Sequence, residues 1–84
     1  MNYQVILARS ARKQMKRLSG ETEIRVLAKL SELEANPRPP GCKKLRNRDA
    51  WRIRVGDYRV IYEIHDKMLQ VIVVTVGHRR EVYR

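Results

Sequence analysis

The sequence predicts an α+β fold of order β-α-α-β-β-β: a mostly antiparallel four-stranded sheet with a helical hairpin on one face. Three observations predict it. Residues 50–55 and 58–65 alternate apolar and polar side chains on either side of Gly56-Asp57, a two-residue hairpin turn signal. Residues 10–18 and 21–35 carry apolar side chains at helical spacing, with only Ser19-Gly20 between them. A chain of 84 residues has room for one core, so these elements must pack as a single domain spanning 1–84.

Residues 2–8, NYQVILA, read as a short strand. From Ser10 the pattern turns helical. Ser10 is placed to cap the helix, and Ala11, Met15 and Leu18 recur at i, i+4 and i+7, with Arg12, Lys13, Lys16 and Arg17 on the other side. Ser19-Gly20 ends this helix and starts the next. Over 21–35, Ile24, Val26, Leu27, Ala28, Leu30 and Leu33 form a broad apolar arc, expected to be spent on the sheet. Glu21, Arg25, Lys29 and Glu32 fall opposite, and Glu21–Arg25 is a favourable i,i+4 pair.

The run from Asn36 through Pro37, Pro39 and Pro40 to Gly41 stops the helix and opens a surface loop. Three strands then follow. Over 50–55, Trp51, Ile53 and Val55 alternate with Arg52 and Arg54. Residues 58–65 alternate again, and Asp66-Lys67 forms a second turn. Residues 68–76, MLQVIVVTV, are apolar on both faces, as an interior strand is, and Gly77 ends them. This most apolar strand belongs inside the sheet, with the N-terminal strand covering its free edge in a direction the pattern leaves open.

Lys and Arg number 19 against 9 Asp and Glu, a net charge of +10. Thirteen of the 19 are arginine, whose guanidinium grips phosphate bidentately and stays charged. A polyanionic partner follows: nucleic acid, an anionic membrane or a very acidic protein. Cys42 is the single cysteine, which excludes an internal disulfide and a Cys-based zinc site and fits a reducing, cytoplasmic compartment. There is no signal-peptide h-region, and the longest apolar run is far too short to span a membrane. Neither His65 nor His78 has metal-ligand spacing, and no phosphate loop, serine elbow or carboxylate pair is present, so no metal or cofactor is expected.

The turn at Gly56-Asp57 fixes a register. Val55 opposes Tyr58, Arg54 opposes Arg59, Ile53 opposes Val60 and Arg52 opposes Ile61. Arg52, Arg54 and Arg59 then share one sheet face, although like charges directly opposite each other destabilise a sheet. Between 43 and 59 there are seven cations and two anions. A solvated face normally mixes signs, so this clustering reads as a phosphate site, with Lys43, Lys44, Arg46 and Arg48 supplying further contacts. The last strand would bring Arg79 and Tyr83 to the same edge, beside His78 and Arg80, where an aromatic ring suits base stacking next to a bound phosphate. His78 adjoins Arg79, whose charge favours a neutral imidazole able to accept a proton. Trp51, Tyr58 and Tyr62 read as core, and His65 as a surface residue.

The segments WRIRVGDYRVIYEI and VIVVTVGHRREVYR together strongly resemble RelE-type toxins of the RelE/ParE superfamily, and the size, element order and PRPP–KKL loop agree. The resemblance covers essentially the whole chain. It implies a microbial-ribonuclease-like fold and a ribosome-dependent endoribonuclease that cuts mRNA in the ribosomal A site, contacts ribosomal RNA and is held inactive by an acidic RelB-type antitoxin. It implies catalytic roles for Arg52, Arg54, Arg59, Arg79 and Tyr83, with Arg79 as proton donor to the leaving oxygen. Two departures stand out: well-studied members carry lysine where Arg52 and Arg54 stand, and no helix follows the terminal tyrosine. Arginine stays protonated and so is a poor base, which leaves His78, Glu81, Tyr83, one of Lys43 and Lys44, groups of the ribosome, or substrate positioning for that task. The ParE branch implies an alternative, a DNA gyrase poison without ribonuclease activity. A plain RNA-binding module is a third reading.

Overall fold

The hairpin about Gly56-Asp57 forms as its alternation requires. In the structure, a computed structural model that describes residues 2–78, β3 (Trp51–Val55) and β4 (Tyr58–His65) pair antiparallel with Val55 opposite Tyr58, Arg54 opposite Arg59 and Arg52 opposite Ile61. Gly56 turns the chain at a φ of 60°, where a side chain would be strained, and the Arg25 guanidinium lies against it. That contact, rather than an ion pair with Glu21, is what Arg25 makes: a Cβ on Gly56 would sit 3.2 Å from its Nη1.

The sheet has five strands rather than four, in the order β1-β5-β4-β3-β2. The additional one is β2 (Lys43–Lys44), paired antiparallel with Arg52 and Trp51 at the outer edge of β3. It forms because the chain doubles back tightly after it, with Leu45 N–H donating to Ala50 O at 2.9 Å. The central strands are β4 and β5 (Gln70–His78), paired antiparallel along their whole length with an irregularity between Ile61 and Tyr62 that leaves Val74 as the extra residue. Asp66–Met68 makes a single 3-10 turn and Leu69 sits at a φ of 51°, so β5 starts later than its apolar run, at Gln70. It passes through Gly77, which keeps an ordinary extended backbone opposite Arg59.

On the far side of β5 lies β1 (Gln4–Leu7), which runs parallel to it from Gln4 opposite Gln70 to Leu7 opposite Val73. Beyond Val73 no strand among the described residues lies beside this edge of β5, and the first helix, α1 (Arg9–Met15), takes over. Ser10 Oγ donates to Val74 O at 2.7 Å, and Gln14 Oε1 accepts from Val76 N–H at 2.7 Å. These side chains, four residues apart on one helix face, satisfy backbone groups that a sheet edge would leave open. Ser10 is therefore an edge cover and not a cap; Ala8 occupies the cap position without a side-chain bond.

Helix α2 (Gly20–Ala35) begins at Ser19, whose hydroxyl accepts from Thr22 N–H as an N-cap does. Its Val26, Leu30 and Leu33 join Ala11 and Met15 of α1 against Ile53, Val55, Val60, Tyr62, Val71, Val73 and Val76 of the sheet, and this is the core. The apolar arc of α2 is only partly spent there. Ile24 is 68% exposed and Leu27 47%, because the sheet meets the helix along one narrow row of positions four and three residues apart. Among the described residues no helix is long and apolar enough to cross a membrane.

Candidate functional site

Both helices cover one face of the sheet, so the other face is open, and residues of β3 with even numbers point to it. Register places Lys43 of β2 opposite Arg52, and Arg54 opposite Arg59. Four cations of three strands thus share the open face. Lys43, Arg52 and Arg54 line a cavity of about 300 Å³ together with Gly41 and Ile53. Arg59 is the deepest, only 8% exposed, and Arg54 stands exposed beside it. Among the described residues no carboxylate forms an ion pair with Lys43 or Arg54. A concave surface of this charge, built on regular strands, can hold a phosphate and stabilise extra negative charge developing on it.

The other candidate residues are dispersed. Lys44 lies opposite Trp51, hence toward the helical face, and its ammonium is 3.5 Å from Asp49. Arg46 and Arg48 are exposed on the 45–50 turn, and Arg48 lines a separate cavity with Asp49, Glu63, Ile64 and His65. His78 lies opposite Tyr58 and packs edge-on against it, ring centres 5.6 Å apart. Its register puts it on the helical side of the sheet, where it lines a cavity of about 240 Å³ with Gln14, Arg17, Leu18, Tyr58, Val76 and Gly77. His65 pairs with Glu63 at 3.0 Å. Arg79, Arg80, Glu81 and Tyr83 lie outside the described residues. Among the described residues, no group of three or more His, Cys, Asp or Glu side chains is arranged to hold a metal ion.

Sequence reasoning missed a cluster that holds the proline loop. Arg38, expected in an open surface loop, makes a bidentate pair with Asp66 at 2.9 and 3.3 Å, and its guanidinium lies 5.2 Å from the centre of the Trp51 ring. Tyr3 Oη donates to the same carboxylate at 2.6 Å. The Arg38 guanidinium first, and the Tyr3 hydroxyl with it, hold the Asp66 carboxyl below the usual carboxylate range. The hydrogen bond to that carboxylate raises Tyr3 in turn. Nearby, Tyr62 Oη donates to Pro37 O at 2.8 Å from a fully buried ring, and burial pushes its hydroxyl well above the usual tyrosine value. Arg38 and Asp66 are 28 residues apart, so no local pattern announces them.

Residues 5–83 match the family model described as the ParE toxin of the type II toxin–antitoxin system parDE. The chain belongs to the RelE/ParE superfamily of toxins. Its relatives include a curated RelE-like toxin of Escherichia coli, 31% identical over 81 residues, covering 94% of this chain and 85% of that one. The archaeal RelE–RelB complex of Pyrococcus horikoshii holds a chain of the same fold, with a TM-score of 0.85 at 29% identity over 96% of this toxin and 99% of that chain. A chain of the RelBE toxin–antitoxin complex of Mycobacterium tuberculosis superposes with a TM-score of 0.84 at 27% identity, covering 94% of this toxin and all of the other. The described strands and helices of this toxin are thus those of the RelE-like α+β fold.

Proposed function

We propose that this toxin is a metal-independent endoribonuclease that cleaves mRNA in the ribosomal A site and so stops translation. The observation that carries this reading is the gathering of Lys43, Arg52, Arg54 and Arg59 on one open sheet face. In the reaction the ribose 2′-oxygen attacks the adjacent phosphorus and the bond to the 5′-oxygen breaks. The 2′-hydroxyl proton passes to a base, and a proton reaches the departing 5′-oxygen, leaving a cyclic phosphate and a free 5′-hydroxyl. Arg52, Arg54 and Arg59 stabilise the phosphorane, where one well-placed donor is worth about 10²–10³ in rate. Arg79 protonates the leaving oxygen and Tyr83 stacks on a base, as the family resemblance implies. Among the described candidates for the base, Lys43 alone lines the cationic cavity; Lys44 and His78 face the helical side. Lys43 there serves as a further cationic contact to the phosphate, and the proton acceptor stays among the other groups named above. Lys44, Arg46, Arg48, His78 and Arg80 then serve as outer contacts to ribosomal RNA and message.

Relatives of this fold were solved as complexes with RelB. We assign an acidic antitoxin of that type to this toxin as well, because a +10 surface captures an acidic chain quickly. Exposed Ile24 and Leu27 offer it apolar anchorage away from the cationic face.

A second reading has a specific observation in its favour, the match to a ParE description over residues 5–83. On that reading the cationic face docks on DNA gyrase and cuts no RNA. Primer extension on an mRNA in a translating extract separates the two. Cuts at codon-defined positions that need ribosomes support the nuclease. Intact message with trapped gyrase–DNA complexes supports the poison.

A further inference from the structure

The cationic cavity has one wall that is not held by a strand of ordinary length. Gly41 and Lys43 form it, and β2 contributes only two residues of pairing. Isolated strands so short do not hold their own position. The chain reaches β2 through the 36–42 loop, which passes through Gly41 at a φ of 92°. Whatever fixes that loop also fixes the spacing between Lys43 and Arg54.

The loop is pinned at several points. Tyr62 Oη holds Pro37 O, Asn36 Oδ1 accepts from Arg38 N–H at 3.1 Å, and Cys42 N–H donates to Pro39 O at 3.1 Å. The remaining anchor is the Arg38 side chain. It spans from the loop to the β4–β5 turn through Asp66 and covers Trp51 on the way, while Tyr3 braces Asp66 from the start of β1. Trp51 is the residue before Arg52 and opposes Lys44, so Arg38 grips the same β2–β3 pairing that carries the cavity wall.

We propose that Arg38, Asp66 and Tyr3 are positioning residues: a clamp that holds the 36–42 loop and thereby sets Gly41 and Lys43 against Arg52 and Arg54. Its catalytic consequence rests on the nuclease reading; its mechanical content does not. The geometry suits the task, since a bidentate fork stacked on a ring fixes orientation as well as distance. A wall displaced by about 1 Å would cost about 10²-fold in a reaction that depends on alignment.

The test compares Asp66→Asn, Arg38→Ala and Asp66→Glu in the full chain. Amide exchange at Cys42 and Lys43 reads the loop, circular dichroism reads the fold, and ribosome-dependent cleavage is resolved into kcat and KM. Asp66→Asn and Arg38→Ala should melt as single cooperative domains, exchange faster at Cys42, and lose about 10–100-fold in kcat, with KM changed less than about threefold. Asp66→Glu, which keeps the carboxylate, should recover most of the loss. Unchanged exchange at Cys42 in the broken-pair variants overturns the proposal. So does a loosened loop with undiminished kcat, or an Asp66→Glu variant as slow as Asp66→Asn. If the wild type cuts no RNA on ribosomes, the nuclease reading fails by itself, and the exchange data alone decide the clamp: faster exchange upholds it and unchanged exchange overturns it.

Discussion

Replacing Tyr62 with phenylalanine removes a single oxygen from the middle of the molecule. The ring is fully buried, and its hydroxyl donates to Pro37 O at 2.8 Å, joining β4 to the 36–42 loop. Without it, Pro37 O, on a buried residue, loses its donor, and an unsatisfied buried carbonyl costs about 1–3 kcal/mol. The phenylalanine ring keeps its packing and avoids burying a hydroxyl, which offsets part of this, so the expected net loss is about 1–2 kcal/mol. At about 2.1 cal/mol/K of unfolding entropy per residue, that lowers Tm by roughly 5–11 °C for a chain of this length. The pH dependence adds a signature. Burial raises the folded-state Tyr62 hydroxyl above its unfolded value of about 10. A group raised in this way lends its stability below the unfolded value and loses it as pH rises further, since ionisation then favours unfolding. The wild type should therefore lose its advantage over Tyr62→Phe progressively above about pH 10. Thermal melts of both proteins at pH 7 and through pH 9–11 check this. A Tyr62→Phe protein melting within about 2 °C of wild type at pH 7 would refute the hydrogen-bond argument.

Three further predictions concern the cationic face and the proline loop. Arg59→Ala should reduce ribosome-dependent cleavage by about 10²–10³ while retaining the fold, because Arg59 faces another cation in Arg54; normal circular dichroism with undiminished growth arrest would contradict it. Four phosphate contacts to a single strand imply a log–log salt slope near about −2.8, hence roughly a 50-fold loss of RNA affinity between about 50 and 200 mM salt, and Arg54→Ala should flatten the slope by about 0.7; fluorescence anisotropy measures both. Because Arg38 and Tyr3 depress Asp66, its stabilising contribution is present above the usual carboxylate value and lost as pH falls below it. Acid titration of stability should accordingly be steeper in the wild type than in Asp66→Asn, and parallel curves would remove the ion pair from the account.

Period-two alternation around a two-residue turn carries its own register, which is why the shared face of Arg52, Arg54 and Arg59 is legible in the sequence. An apolar run on both faces, rather than alternation, placed the most apolar strand inside the sheet. A two-residue strand has no period, so β2 was invisible, and with it the pairing of Lys43 with Arg52. Ser10 looked like a helix cap because capping is local, whereas its actual partner, Val74, lies 64 residues away. Helical spacing identified the apolar positions of α2 but not how many the sheet would cover; Ile24 and Leu27 show that three buried positions sufficed. Charged partners brought together by the fold, such as Arg38 and Asp66, leave no mark on either neighbourhood.

The parallel pairing of β1 with β5 has a consequence for how the protein is made. Gln4 is synthesised 66 positions before its partner Gln70. Until Gln70–His78 leaves the ribosome, β1 has nothing to pair with, α1 has no strand edge to cover, and the long β4 ladder is unformed. Contacts this distant in sequence close late and slowly. The nascent chain should therefore lack the β1–β5 and β4–β5 pairings that back the cationic face until Gln70–His78 has emerged. Ribosome-stalled chains truncated before Gln70 should accordingly show no exchange protection at Val5 or Ile6.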